Sequence, residues 1–113
     1  MTVDTITTVT NDHLPNRDGL TVIDFTATWC GPCKAYAPVF AGASRQHRDV
    51  AFFKVDIDQN PALAARFGIL GVPTTVAMRG GAQVGARTGA IPAAALNGFI
   101  DTHKPVGSAH HKV

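Results

Sequence analysis

Cys30 and Cys33 are the only cysteines in the chain, and they stand within Trp29-Cys30-Gly31-Pro32-Cys33-Lys34, which also holds the only tryptophan. The apolar run Val22-Ile23-Asp24-Phe25 precedes this stretch and reads as a buried strand. The segment Lys34 to His47 follows it and reads as a helix. A strand that feeds a helix through Cys-X-X-Cys has the layout of a thiol–disulfide redox site. Residues three apart at the start of a helix lie about 5–6 Å apart on one face. A disulfide requires Cα atoms roughly 4.4–6.8 Å apart. The pair can therefore open and close without moving its scaffold.

The elements that must hold this turn follow from the pattern along the chain. Thr5 to Thr10 is rich in β-branched residues and reads as a strand. Between Asn11 and Gly19 the pattern permits only a short or irregular helix, because Pro15 interrupts it. Thr21 to Ala27 is the second strand, and its near-continuous apolar character suits a central position covered on both faces. Asp24 interrupts it. Either this carboxylate reaches water at a strand edge, or it is buried with a raised pKa or a partner. The helix to His47 carries Pro38 inside it, where a kink is expected, and Val39, Phe40 and Ala43 form an apolar stripe. Tyr36 reads as a boundary residue with its hydroxyl in water.

Ala51 to Ile57 is the third strand, parallel to the second because a helix joins them. Lys54 within it reads as a half-exposed lysine or as a charge partner for Asp24. Asn60-Pro61 starts a helix, with Asn as N-cap and Pro at the first helical position, and Gly68 ends it. Thr74 to Met78 and Gln83 to Thr88 flank Gly80-Gly81, a hairpin signal. Ala93 to His103 is the last helix, with Leu96, Phe99 and Ile100 on one face. The expected domain is residues 1–103. The remainder, 104–113, has no periodicity and reads as a disordered tail.

At this point the chain resembles the thioredoxin family. The resemblance rests on Asp24-Phe25, Ala27-Thr28-Trp29-Cys30-Gly31-Pro32-Cys33-Lys34, Ala37-Pro38, Val55-Asp56-Ile57-Asp58-Gln59-Asn60-Pro61 and Gly71-Val72-Pro73-Thr74. It implies an α/β thioredoxin fold, a central mixed sheet of about five strands with helices on both faces. It implies that Asp24 is buried behind Cys33 and acts in proton transfer, with Lys54 near it. It implies a cis bond at Val72-Pro73, and a docking surface made of Trp29, Gly71, Val72, Pro73, Gly89 and Ala90. The implied activity is reduction of protein disulfides. The implied electron donor is a flavin-containing, NADPH-linked thioredoxin reductase, and the substrates are disulfide-containing proteins. Thr26 and Thr88 depart from one common form of the family, which has an aromatic and an apolar residue there.

Only a thiolate attacks a disulfide, and a free cysteine of pKa about 8.5 is roughly 3% ionised at pH 7. Cys30 falls at a helix N-terminus, where orphan N–H groups and the macrodipole favour negative charge by about 0.3–1 kcal/mol. Cys30 is then the nucleophile and Cys33 the resolving thiol, with Asp24 as the base that deprotonates Cys33, tuned by Lys54. Gly31 lets a partner chain approach and Pro32 fixes the backbone at the helix start. Gly-Pro at these positions resembles the reducing members of the superfamily.

The rest of the composition bounds the answer. At 113 residues, 45% hydrophobic and 16% charged, this is one globular domain. A net charge of +2 gives no argument for nucleic acid or an anionic membrane. No secretory signal or membrane span is read, so the expected setting is the cytoplasm and the expected state a monomer. In that reducing compartment two cysteines do not serve as a structural bridge. No cofactor-binding motif is present, and the redox group is the Cys30–Cys33 disulfide itself. Zinc wants four ligands, and a single Cys-X-X-Cys supplies two. The competing function is a non-enzymatic binding module that keeps the docking surface and has no use for the dithiol.

Overall fold

A computed structural model describes residues 5–105. The elements run β1 (Ile6–Thr8), β2 (Leu20–Thr26), α1 (Gly31–Gln46), β3 (Ala51–Asp56), α2 (Pro61–Arg66), β4 (Thr74–Arg79), β5 (Ala82–Thr88) and α3 (Ala93–His103). The strands form one five-stranded sheet in the order β1-β3-β2-β4-β5. β1, β3 and β2 are parallel, and β4 and β5 complete the sheet antiparallel. This is the mixed α/β thioredoxin fold that the resemblance implies. Of the expected C-terminal tail, 104–113, residues 106–113 lie outside the described residues. Lys104 pairs with Asp49 at 3.4 Å and with Asp101 at 3.9 Å.

Side-chain alternation along β2 divides the core in two. Leu20 and Val22 point to one face and pack with Tyr36 and Phe40 of α1 and with Leu96, Phe99 and Ile100 of α3. Ile23 and Phe25 point to the other and pack with Phe53, Val55 and Leu63, the last from α2. Both faces of β2 are covered, which is why its sequence reads as nearly continuous apolar residues. Each fully buried Phe, Leu or Ile here contributes on the order of 1.5–3 kcal/mol. Gly80 and Gly81, with φ of 61° and 83°, make the turn between β4 and β5 that glycine takes without steric cost. α1 runs through Pro38 without interruption.

Three sequence expectations change. Tyr36 is not a boundary residue with a wet hydroxyl. It is 1% exposed, and its hydroxyl bonds Thr75 Oγ1 at 2.6 Å. A tyrosine takes a fully buried place when its oxygen has a partner. Asn60 occupies the N-cap position of α2 but makes no side-chain cap. Asp12 supplies it, its Oδ1 accepting from the Leu63 N–H at 3.0 Å. Asn60 instead accepts from the Asp12 N–H at 2.8 Å and donates to the Val9 carbonyl at 3.3 Å. Asn11 and Asp12 sit at φ near +55°, in the left-handed region. The segment after β1 is thus a turn tied to α2 rather than a helix. Asp12→Ala should lower stability by about 1–2 kcal/mol, combining loss of the cap with a left-handed alanine. Asp12→Asn keeps an acceptor and a residue tolerant of that backbone, so its urea midpoint should stay near the parent's.

Candidate active site

The Cys-X-X-Cys turn lies where β2 ends and α1 begins. Cys30 is the N-cap of α1, with extended backbone at φ −95°, and Pro32 stands in the first turn, where its missing N–H costs nothing. Cys30 and Cys33 are joined in a disulfide, with Cα atoms 5.3 Å apart. The Cys33 N–H donates to Cys30 Sγ at 3.1 Å. This is the contact an N-cap side chain makes, here made by sulfur, and it favours negative charge on Cys30 once the disulfide opens. Cys30 Sγ also lies 3.6 Å from the Val72 carbonyl oxygen. Among the described residues no group of three or more His, Cys, Asp or Glu is placed to hold a metal ion.

The loop facing the dithiol comes from a different part of the chain. The Val72-Pro73 bond is cis. The Gly89 N–H donates to the Pro73 carbonyl at 2.7 Å with Gly89 at φ 96°, so β5's exit is tied to the cis-proline loop. Gly71 and Ala90 are exposed beside this contact. Trp29 is 67% exposed, held by its indole N–H donating to Asp58 Oδ2 at 2.8 Å. Leu70, next to Gly71, is also fully exposed. The sequence reading does not single it out, because the apolar run Ile69-Leu70-Gly71-Val72 gives no sign that one of its residues is exposed.

Asp24 is 2% exposed, so the strand-edge reading fails. Its Oδ1 is buried and has no hydrogen-bond partner among the described residues. Burial pushes its carboxyl up to about 6, against the opposing pull of Lys54. Lys54 is its Cα partner across the β2–β3 pair and is half-buried. Both readings of Lys54 therefore hold together: a half-exposed strand lysine whose charge acts on Asp24. A cavity of about 440 Å³ opens behind the turn, lined in part by Cys33, Lys54, Asp56 and Thr26. The small side chain of Thr26 leaves this space beside Cys33 where an aromatic residue would take it.

The comparisons agree with this geometry. The thioredoxin family model matches residues 3–102. Thioredoxin-2 of Saccharomyces cerevisiae is 42% identical over 81 residues, covering 72% of this chain and 78% of that one. Thioredoxin H3 of Arabidopsis thaliana is 52% identical over 62 residues, covering 55% of this chain and 52% of that one. The match thus spans about half the length of the second relative. A solved mutant thioredoxin from Halobacterium salinarum superposes with a TM-score of 0.82 at 34% identity, covering 91% of this chain and 94% of that one. With the family model running along nearly the whole sequence and a solved thioredoxin matching the same sheet and helices, this chain belongs to the thioredoxin family.

Proposed function

We propose that this protein is a general protein-disulfide reductase. The observation that carries the reading is the Cys30–Cys33 disulfide at the head of α1, with the Cys33 N–H aimed at Cys30 Sγ. In the reduced protein Cys30 attacks a substrate disulfide, forming one S–S bond and breaking another, and the departing substrate sulfur takes up a proton. Cys33 gives its proton to Asp24 and attacks Cys30 Sγ. The mixed disulfide breaks, the substrate leaves with both sulfurs reduced, and the protein is left oxidised. The buried carboxyl suits this step, since a group titrating near 6 exchanges protons at neutral pH more readily than an ordinary aspartate.

Substrate polypeptide docks across Trp29, Gly71, Val72, Pro73, Gly89 and Ala90, small and apolar residues suited to an extended peptide. Gly31 and Pro32 set the redox poise. The donor is an NADPH-linked thioredoxin reductase, the working unit a monomer and the setting the cytoplasm. The test is reduction of insulin disulfides with dithiothreitol as donor, followed as turbidity. A chain that leaves the rate at the dithiothreitol background is a binding module instead.

The two thiols should also differ in reactivity. Iodoacetamide at pH 7 should label Cys30 of the reduced protein much faster than Cys33. The two cysteines are almost equally buried, at 5% and 3% exposure, so the helix-terminal donor on Cys30 carries the difference. Peptide mapping after brief labelling reads the ratio, and equal rates would remove the assignment of Cys30 as nucleophile.

A further inference from the structure

A second cavity, of about 290 Å³, opens at the end of β2 away from the dithiol. Thr21, the second residue of β2, lines it together with Met78, its Cα partner on β4. Thr21 stands two residues before Ile23, so it shares the sheet face that α2 covers. Arg17, from the segment between β1 and β2, and Arg66, the last residue of α2, also line the cavity. The Gly80-Gly81 turn completes it. No acidic residue lines it among the described residues. The redox chemistry above uses none of these groups.

Its two positive charges have no counter-charge. The ion pairs among the described residues join His47 and Lys104 to Asp49 and Asp101, and neither Arg17 nor Arg66 takes part. Each guanidinium instead lies over an aromatic ring, Arg17 at 5.7 Å from the Phe53 centroid and Arg66 at 4.9 Å from that of Phe67. Stacking of this kind restrains the side chain and leaves N–H donors for a further partner. Exposed arginines alone are satisfied by water, and Thr21 is what sets this place apart. It is 5% exposed, and its hydroxyl has no hydrogen-bond partner among the described residues. Valine would fill the same space with no polar atom to satisfy. A buried hydroxyl facing a cavity between two unpaired guanidiniums is a donor placed for an anion.

We propose that this cavity binds a phosphate group, with Arg17 and Arg66 donating to its oxygens from the two sides and the Thr21 hydroxyl donating from the sheet. Phosphate fits this donor set better than carboxylate. A phosphate group carries close to two negative charges at pH 7 and three strong acceptor oxygens, against two guanidiniums and a hydroxyl. A carboxylate brings one charge and two oxygens. Leu14, Pro15 and Met78 add carbon surface beside the charges, which suits a phosphate monoester with a small carbon body. The volume lies at the lower end of the range for ligand pockets, roughly 300–1,000 Å³, so the ligand is small. The site is separate from the dithiol, and the proposal does not rest on the reductase reading.

The test is titration of the full-length oxidised chain at pH 7 and low salt with inorganic phosphate, phenyl phosphate and acetate, followed by amide NMR. Both phosphates should give saturable shifts confined to Thr21, Gly80, Gly81 and their neighbours. Acetate should bind at least about tenfold more weakly, having lost one charge and one acceptor. Arg17→Gln and Arg66→Gln should each weaken phosphate binding about tenfold, and Thr21→Val should weaken it several-fold. Arg48→Gln removes an exposed charge that does not line the cavity and should leave the affinity at the parent value. Phenyl phosphate binding more tightly than inorganic phosphate supports an organic monoester as the ligand, and equal affinities support free phosphate. Shifts that fail to saturate, acetate as tight as phosphate, or equal weakening in Arg48→Gln and the two cavity variants overturns the proposal. Should Thr21→Val fail to fold, parent-like affinity in Arg17→Gln and Arg66→Gln, both at exposed positions, overturns it equally.

Discussion

Cys33→Ser should capture substrates covalently, and Cys30→Ser should capture none. Cys30 is the N-cap of α1 and receives the Cys33 N–H, a contact that survives replacement of the Cys33 side chain because the donor is backbone. The first attack therefore proceeds in Cys33→Ser. The second requires a thiolate one helical turn further on, and a serine hydroxyl does not attack disulfides near neutral pH. The mixed disulfide on Cys30 then persists. In Cys30→Ser the remaining thiol lies within the first turn and lacks the helix-terminal donor. Both variants should reduce insulin no faster than dithiothreitol alone. Tagged variants purified from cells and run on non-reducing gels give the reading, with reductant-sensitive adducts in Cys33→Ser and almost none in Cys30→Ser. Adducts in the opposite variant would reverse the two roles. Adducts in neither, with the parent chain inactive on insulin, would favour a binding module.

What the sequence carried of this site depended on how local each feature is. The Cys pair, the proline in the first turn and the strand before it are contiguous, so spacing alone placed them at the strand–helix junction. α3 was legible end to end, because Leu96, Phe99 and Ile100 repeat at helical spacing. Gly80-Gly81 marked the hairpin because its backbone needs positive φ. Tyr36 was misread although it lies four residues before Phe40 on the same buried stripe. The partner that satisfies its hydroxyl, Thr75, is 39 residues away. Asp12 as the cap of α2 was invisible for the same reason, with Leu63 lying 51 residues on. Asp24 was ambiguous because a strand covered on both faces shows no alternation to say which way a polar residue points. The burial of Asp24 and the cis bond at Pro73 entered as implications of the family resemblance, since neither composition nor periodicity encodes them.

Asp24→Asn should make the oxidised protein more stable at pH 7 and somewhat less stable than the parent near pH 3.5. The Asp24 carboxyl is raised to about 6 in the folded protein, from 3.8, by burial. Between those values the folded chain holds a proton that the unfolded chain has released, so stability falls as pH rises through the window. Above pH 6 the fall is complete. A difference of about two units corresponds to about 3 kcal/mol. Asparagine has nearly the same shape and no charge to desolvate, so the variant escapes the fall. Its amide brings donors into a site where Oδ1 already lacks a partner, which offsets roughly 1–2 kcal/mol of the gain. The expected net gain at pH 7 is therefore about 1–2 kcal/mol, read as a higher urea midpoint with the same slope. The same substitution removes the proposed base, so the resolving step should slow while the first attack on a substrate disulfide keeps its rate. A variant whose advantage is equal at pH 3.5 and pH 7 would mean that packing, not the charge on Asp24, sets the difference. A parent protein whose stability rises between pH 4 and 6 relative to the variant would mean that the carboxylate is favoured in its site, which the unpartnered, desolvated position of Oδ1 argues against.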